Sequence, residues 1–209
     1  MRLRDDLLAS PACLAKGRSL ATNLADAAGR TGAGRRHRLV WGSDRLLVGP
    51  RGFGGLCTGP NPTDRSKKGS KRHLITDGRG APLAITHTGA NCHDSNMAIA
   101  LVDSIPPIKR PNGRRRKRPD RAQADRAYDC DENIRHPLRK RRIQPVIARK
   151  NTQHGSGLGV HRWYVEATHS WLFLYRRLRV RYEKKDDIHQ AFLIIGCILI
   201  CWCKIQRFC

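Results

Sequence analysis

The apolar positions of this chain fall into strand-like runs, helix-like runs and one long stretch with neither period. Lys71–Thr76 (KRHLIT) and Ala81–Thr88 (APLAITHT) are short apolar runs on either side of Asp77-Gly78 and Gly80. Asp-Gly between two such runs is a hairpin signal, so the pair predicts two antiparallel strands. Arg121–Ala124 predicts a strand ending at Asp125. Ile143–Ala148 (IQPVIA) predicts another, which Pro145 places at an edge or makes irregular because proline gives the ladder no N–H.

Helical spacing dominates the rest. Tyr164, Thr168, Trp171, Tyr175 and Leu178 recur at intervals of four and three, which predicts one long helix over Arg162–Tyr182. Arg162, Glu166, Ser170 and Phe173 fall on another of its ridges. Asp94 or Ser95 is a natural cap for a helix through Asp103. His93 beside Asp94 reads as a loop histidine next to that cap more readily than as an acid–base pair. Asp129 is expected to cap a helix through about Arg142, with Pro137 imposing a kink or a late start. Ala191–Cys203 is an apolar run of 13 residues. A bilayer span needs about 20, so a buried core helix is expected.

Residues 1–57 show no such order. Leu20–Ala28 fits one short helix, but Gly29–Gly55 has neither a strand nor a helix period. Packing needs a repeated apolar face, and this segment lacks one. From Lys71 onward the elements run strand, strand, helix, strand, helix, strand, helix, helix. That order predicts an α/β fold with a mixed sheet. Asp125 then stands at the carboxyl end of a central strand, where ligands tend to sit in such sheets.

Charge narrows the partner. Lys and Arg total 41 against 17 acids in 209 residues, a formal charge of +24 and a pI near 10.8. Such an excess calls for a polyanion, nucleic acid first and a membrane surface second. No basic amphipathic segment flanks an anchor, so no membrane partner is expected. Lys109–Arg121 (KRPNGRRRKRPDR) holds eight basic residues in 13 and reads as a solvated loop whose field draws in phosphates, chiefly through Arg114, Arg115, Arg116, Lys117 and Arg118. The N-terminus has no apolar signal region. Eight cysteines show no secretory framework, which points to a reducing cytoplasm. Cys197, Cys201, Cys203 and Cys209 cluster in an apolar run without a CxxC knuckle. They read as core residues before they read as a zinc site.

Two acids carry the candidate chemistry. Asp125 lies at a strand end and Glu166 on a helix among Arg162, Arg176, Arg177, Arg179 and Arg181. Glu166 is either an ion-pair partner or a metal ligand beside a polyanion. Metal-assisted phosphoryl transfer uses such carboxylates to hold divalent ions against the attacking and leaving oxygens.

The motifs GPNPTDRSKKGSKRHLITD, TGANCHDSN, ADRAYD, HGSGLG, RWYVE and AFLIIGCILICW, in that order, resemble an insertion-sequence transposase of the DDE class, in the IS-five-like branch. The resemblance covers about residues 58–209. It implies a ribonuclease-H-like fold, Mg²⁺ (or Mn²⁺) as cofactor, and DNA as partner through terminal inverted repeats and a target. DNA cleavage followed by strand transfer is the implied activity. Asp125 matches the second catalytic and metal-binding acid, Glu166 the third, and Arg162 the arginine four residues before it. Arg176 and Arg177 stand loosely for a basic residue expected where Phe173 lies. They join Arg162 and the Arg114–Arg118 run as expected DNA contacts.

The first acid should sit on a strand just before the GPNPTDR loop, and DRLLVGPRGFGGLC carries no such motif. Asp44 has no strand pattern around it, Asp64 matches a loop residue and Asp77 a hairpin residue. The expectation is therefore a partial catalytic domain over 58–209 with its first catalytic strand missing. Residues 1–57 would be an irregular basic segment, disordered or out of frame. A basic nucleic-acid-binding protein without catalysis is the alternative, and a homodimer is left open.

Overall fold

The structure is a computed structural model that describes residues 38–47, 55–109, 115–116, 118–151 and 159–208. The expected Leu20–Ala28 helix, the HGSGLG loop up to residue 158, Arg114 and Lys117 lie outside the described residues, as do the side chains of Arg116 and Arg162.

Three strands supply most of the sheet: β1 (Arg38–Leu47), β3 (Lys68–Asp77) and β4 (Pro82–Gly89). β3 and β4 form the expected hairpin, with Leu74 opposite Ile85 and His73 opposite Thr86. Asp77 closes the turn: its Oδ1 accepts the N–H groups of Arg79 (2.9 Å) and Ala81 (2.8 Å), while Gly80 takes φ +77. On the other edge of β3 lies β1, antiparallel, with Asp44 opposite Arg72. β7 (Arg121–Ala124) runs parallel to β1, and β8 (Gln144–Ile147) parallel to β7. The two-residue β2 (Gly59–Pro60) adds to β3, giving the order β2-β3-β1-β7-β8 with β4 also on β3. β8 is the outer strand of the parallel half, where Pro145 was placed from the sequence.

β1 corrects the expected gap. The strand thought missing is present, inside the segment read as irregular, and it lies between β3 and β7. Its pattern hides it. A strand covered on both faces usually reads as a continuous apolar run, but only Leu39, Val40 and Trp41 are apolar and buried before Gly42-Ser43-Asp44-Arg45 follows. The polar positions are settled by distant partners, Gly42 by Val165 and Asp44 by Arg72.

Two layers cover the sheet. On one face lie α1 (Asp94–Asp103) and the short α2 (His136–Lys140); their Leu101, Val102 and Leu138, with Ile134 just before α2, pack with Trp41, Ile75 and Ile143. α1 is capped by His93, whose ring accepts the Ser95 N–H at 3.3 Å, so the cap falls one residue before Asp94. The expected Asp129–Arg142 helix is replaced by a 3-10 turn at Arg126–Tyr128, a π turn at Asp131–Arg135 and then α2, with Pro137 in its first turn. Asp129 instead takes Arg135 at 2.7 Å and the Lys150 N–H at 2.8 Å. The solvated loop expected at Lys109–Arg121 contains a small ribbon, β5 (Ile108–Lys109) paired with β6 (Arg115–Arg116).

The other face is covered by α3 (Gly159–Leu174), α4 (Arg176–Arg179) and α5 (Asp186–Phe208). The single helix expected over Arg162–Tyr182 breaks at Tyr175, which is extended (φ −76, ψ 109). No proline or glycine marks that break. It allows Leu178 to turn into the core, where it meets α5 at Gly196. α5 contains the expected apolar run and buries Leu193, Ile194, Cys197, Ile200 and Cys201 against Val40, Leu74 and Ile85. Its segment Asp186–Gln206 is 21 residues long and apolar enough to cross a bilayer by length and composition; here one side of it packs on the sheet. Cys197 and Cys201 behave as core side chains: burial pushes both thiols up, Cys201 to about 12.

Candidate functional site

Asp125 stands immediately after β7, where Ala124 is still buried. Its carboxylate turns back on the chain, Oδ1 accepting the Arg126 N–H at 2.7 Å, and so caps the 3-10 turn. That turn swings Tyr128 beneath β1, where its ring stacks on Trp41 with centroids 6.1 Å apart. Burial, and after it the Asp94 charge, pushes the Tyr128 hydroxyl well above its usual range.

Glu166 projects from the exposed side of α3. The buried side is Val165, Thr168, His169 and Leu172, one residue round from the stripe read in the sequence. Thr168 Oγ1 donates to one of two carbonyls at 2.8 Å, Gly80 in the β3–β4 turn or Tyr164 one helical turn back. Val165 sits on Gly42 so closely that a Cβ there would lie 2.8 Å from its Cγ1. His169 is buried beneath the same helix, and burial followed by the neighbouring Arg72 charge lowers it to about 3, so it is neutral.

Gly42 is where these parts meet. Val40 pairs with Gln123, and two residues further along the two chains stand Gly42 and Asp125. The residue before Glu166 rests on that same glycine. β1 therefore lies between the strand that delivers Asp125 and the helix that delivers Glu166.

The only acid on β1 is Asp44, two residues beyond Gly42. Its carboxylate meets Arg72 at 3.2 Å, and Arg72, fully buried, also reaches the Leu178 carbonyl (3.4 Å) and lies 4.6 Å from the Phe173 ring centroid. Burial raises Asp44 and Arg72 opposes that rise. Asp64 lies in the Asn61–Lys67 turn, 3.8 Å from Lys67, and Asp77 in the hairpin. Of the three acids weighed as the first ligand, Asp44 alone is on the strand beside β7. Sequence reasoning set it aside; a strand search that allowed a central glycine would have found it.

Two carboxylates suit a hard divalent ion. Among the described residues, however, the oxygens of Asp44, Asp125 and Glu166 do not form a three-ligand cluster within 4.8 Å, and the one such cluster of metal-ligating side chains is Cys57, His87 and Asp186. Carboxylates are the donor type that such an ion takes, and the β1 acid Asp44 is held by Arg72.

Arg115, Arg118 and Arg176 are exposed. Arg177 donates to Glu183 at 2.9 Å and lies over the Tyr182 and Phe192 rings.

The parallel pair β1–β7, the antiparallel β3–β4 and the helix carrying Glu166 define the core of a ribonuclease-H-like domain. Residues 53–202 match the family described as Transposase DDE domain, and the chain belongs to that family. It is 49% identical, over 99% of its own length and 98% of the relative's, to a Burkholderia cepacia protein whose name reads "Putative transposase for insertion sequence element IS402". Domains of this family generally use a divalent metal ion.

Proposed function

We propose that the chain binds the terminal inverted repeats of an insertion element and catalyses divalent-metal-dependent cleavage and strand transfer of DNA in the bacterial cytoplasm. Asp125 and Glu166 are its metal-binding catalytic residues. The observation that carries this reading is the meeting at Gly42 of the Asp125 strand and the Glu166 helix. When bound, the ion lowers the pKa of an attacking water or hydroxyl and stabilises the leaving oxygen. The protein's part is to fix two carboxylates on rigid elements: Asp125 by its cap on the 3-10 turn, Glu166 by the Thr168 and Val165 contacts of α3. Arg115, Arg118 and Arg176 supply sequence-independent attraction to phosphate.

The test is cleavage of a duplex carrying an element end, with Mg²⁺ or Mn²⁺. Asp125→Asn and Glu166→Gln should each lower strand transfer by about 10³-fold or more while leaving DNA mobility shift in place. Transfer within tenfold of wild type in either variant would remove these residues from the metal site. Neutralising Arg114–Arg118 should weaken binding to any duplex and flatten its salt dependence by about 0.9 per lost phosphate contact.

A second reading follows from a specific feature: Gly42 has no carboxylate, and Asp44 is bonded to Arg72. On this reading the chain binds DNA and catalyses little. Wild-type protein that shifts end-containing DNA yet shows no metal-dependent nicking would select it.

A further inference from the structure

Away from the candidate active site, Cys57, His87 and Asp186 bring a sulfur, a nitrogen and an oxygen within 4.8 Å of one another. They come from three separate parts of the chain: the turn before β2, the middle of β4 and the first residue of α5. We propose that they form a zinc site. The inference is independent of the DNA reading.

The histidine carries the argument. Its Nδ1 lies 2.9 Å from Oε1 of Gln190, and the orientation of that amide is fixed because its Nε2 donates to the Ile85 carbonyl at 2.8 Å. Nδ1 of His87 therefore bears the proton. The other ring nitrogen, Nε2, faces the Asp186 carboxylate at 2.6 Å. With Nδ1 protonated, a neutral imidazole presents a lone pair from Nε2 to an anionic oxygen. That contact is closed by a cation: a second proton on the ring at the distance seen, or a metal ion once the two atoms part to the ~3.3 Å that tetrahedral ligands keep. An amide or carboxylate that orients the far nitrogen of a ligating histidine is the usual outer shell of a metal site.

The thiol is placed by backbone geometry. Cys57 has φ +59, and its carbonyl and that of Leu56 are held by Arg181 at 3.1 and 2.9 Å. Arg181 is itself fully buried and anchored by Ser70 Oγ at 2.7 Å. A thiolate, an imidazole and a carboxylate make a mixed, borderline-soft set. Such a set favours Zn²⁺ over Mg²⁺ or Ca²⁺ and leaves a fourth tetrahedral position for water. The two anionic ligands balance the ion's charge, and Arg181, 3.8 Å from Asp186, stays outside the donor set. The ion would clip the turn before β2 and strand β4 to the start of the longest helix.

The test uses the full-length chain, stripped with a chelator and then titrated with Zn²⁺, with Co²⁺ as spectroscopic probe. One Zn²⁺ per chain, a thermal midpoint raised by Zn²⁺ but not by Mg²⁺, and a thiolate-to-cobalt charge-transfer band are expected. Cys57→Ser, a near-isosteric change at a half-buried position, should abolish the band and the Zn²⁺-dependent rise. Gln190→Leu should weaken Zn²⁺ by about tenfold, and Cys203→Ser should change nothing. Failure of the wild type to retain Zn²⁺, or a Cys57→Ser variant that binds Zn²⁺ and Co²⁺ like the wild type, would overturn the proposal. Neither result touches the activity assay of Asp125→Asn.

Discussion

The two faces of the sheet are built on different physics. Beneath α1 and α2 the largest fully buried side chains are Trp41, Ile75, Leu101, Ile134, Leu138 and Ile143, an apolar layer with charged pairs at its Lys71–Asp94 and Arg135–Asp129 ends. Beneath α3, α4 and α5 the apolar cluster of Leu74, Leu172, Leu178 and Leu193 is interleaved with buried Arg72, His169, Arg181, Glu183, His189 and Gln190. The first face rests mainly on apolar area and shape, and many sequences supply both. The second must desolvate charges and is stable only where each meets a partner: Arg72 with Asp44, Arg181 with four groups of the Leu56–Ser70 and Glu183 segments, Glu183 with Arg177 and His189. It is the second face that carries α3 and with it Glu166.

That contrast can be broken most forcefully at Arg181. Arg181→Met should cost about 3–5 kcal/mol in urea unfolding, because it removes one partner of a buried charged set and leaves the carbonyls it served. A cost below about 1 kcal/mol would mean that the charged face is no more demanding than the apolar one. Leu138→Ala, at a fully buried position on the apolar face, should cost about 3 kcal/mol through lost transfer energy and the cavity left behind. Its signature differs: a volume-conserving Leu138→Met should restore most of the loss, whereas no apolar residue should rescue position 181.

The effect that is smallest at any one pH step is a slope. His169 is lowered to about 3, against 6.5 when unfolded. The unfolded chain therefore binds the extra proton between those values, and stability contributed by neutral His169 is complete above pH 6.5 and lost as pH falls toward 3. The wild type should lose up to about 1.4 kcal/mol per pH unit from this group. His169→Asn should show a shallower dependence by about one proton between pH 6 and 4. Equal slopes would place His169 in contact with solvent.

The same contrast explains how far the sequence could be read. The β3–β4 hairpin was legible from Asp77-Gly78, the end of β7 from the loss of strand character at Asp125, and the edge position of β8 from Pro145. All are local signals. The apolar run of α5 was legible because its period is carried by consecutive turns. β1 was not, since Gly42 and Asp44 make sense only against Val165 and Arg72, far along the chain. Nor was the break at Tyr175, which no local breaker announces and which Leu178 and Gly196 impose from the packing. The candidate site divides in the same way. Asp125 and Glu166 stood out by residue type and placement, while the β1 acid was passed over with its strand.

Gly42 also constrains how this domain can change. The missing methyl group at that position sets how deeply the helix of Glu166 settles onto the sheet. An aspartate introduced beside Asp125 would first collide with the Val165 side chain and lift that helix, moving the very group it was meant to assist. Trimming Val165 beforehand would open the room. The two substitutions are thus reachable in one order and obstructed in the other, a one-way route written into the spacing between a strand and a helix.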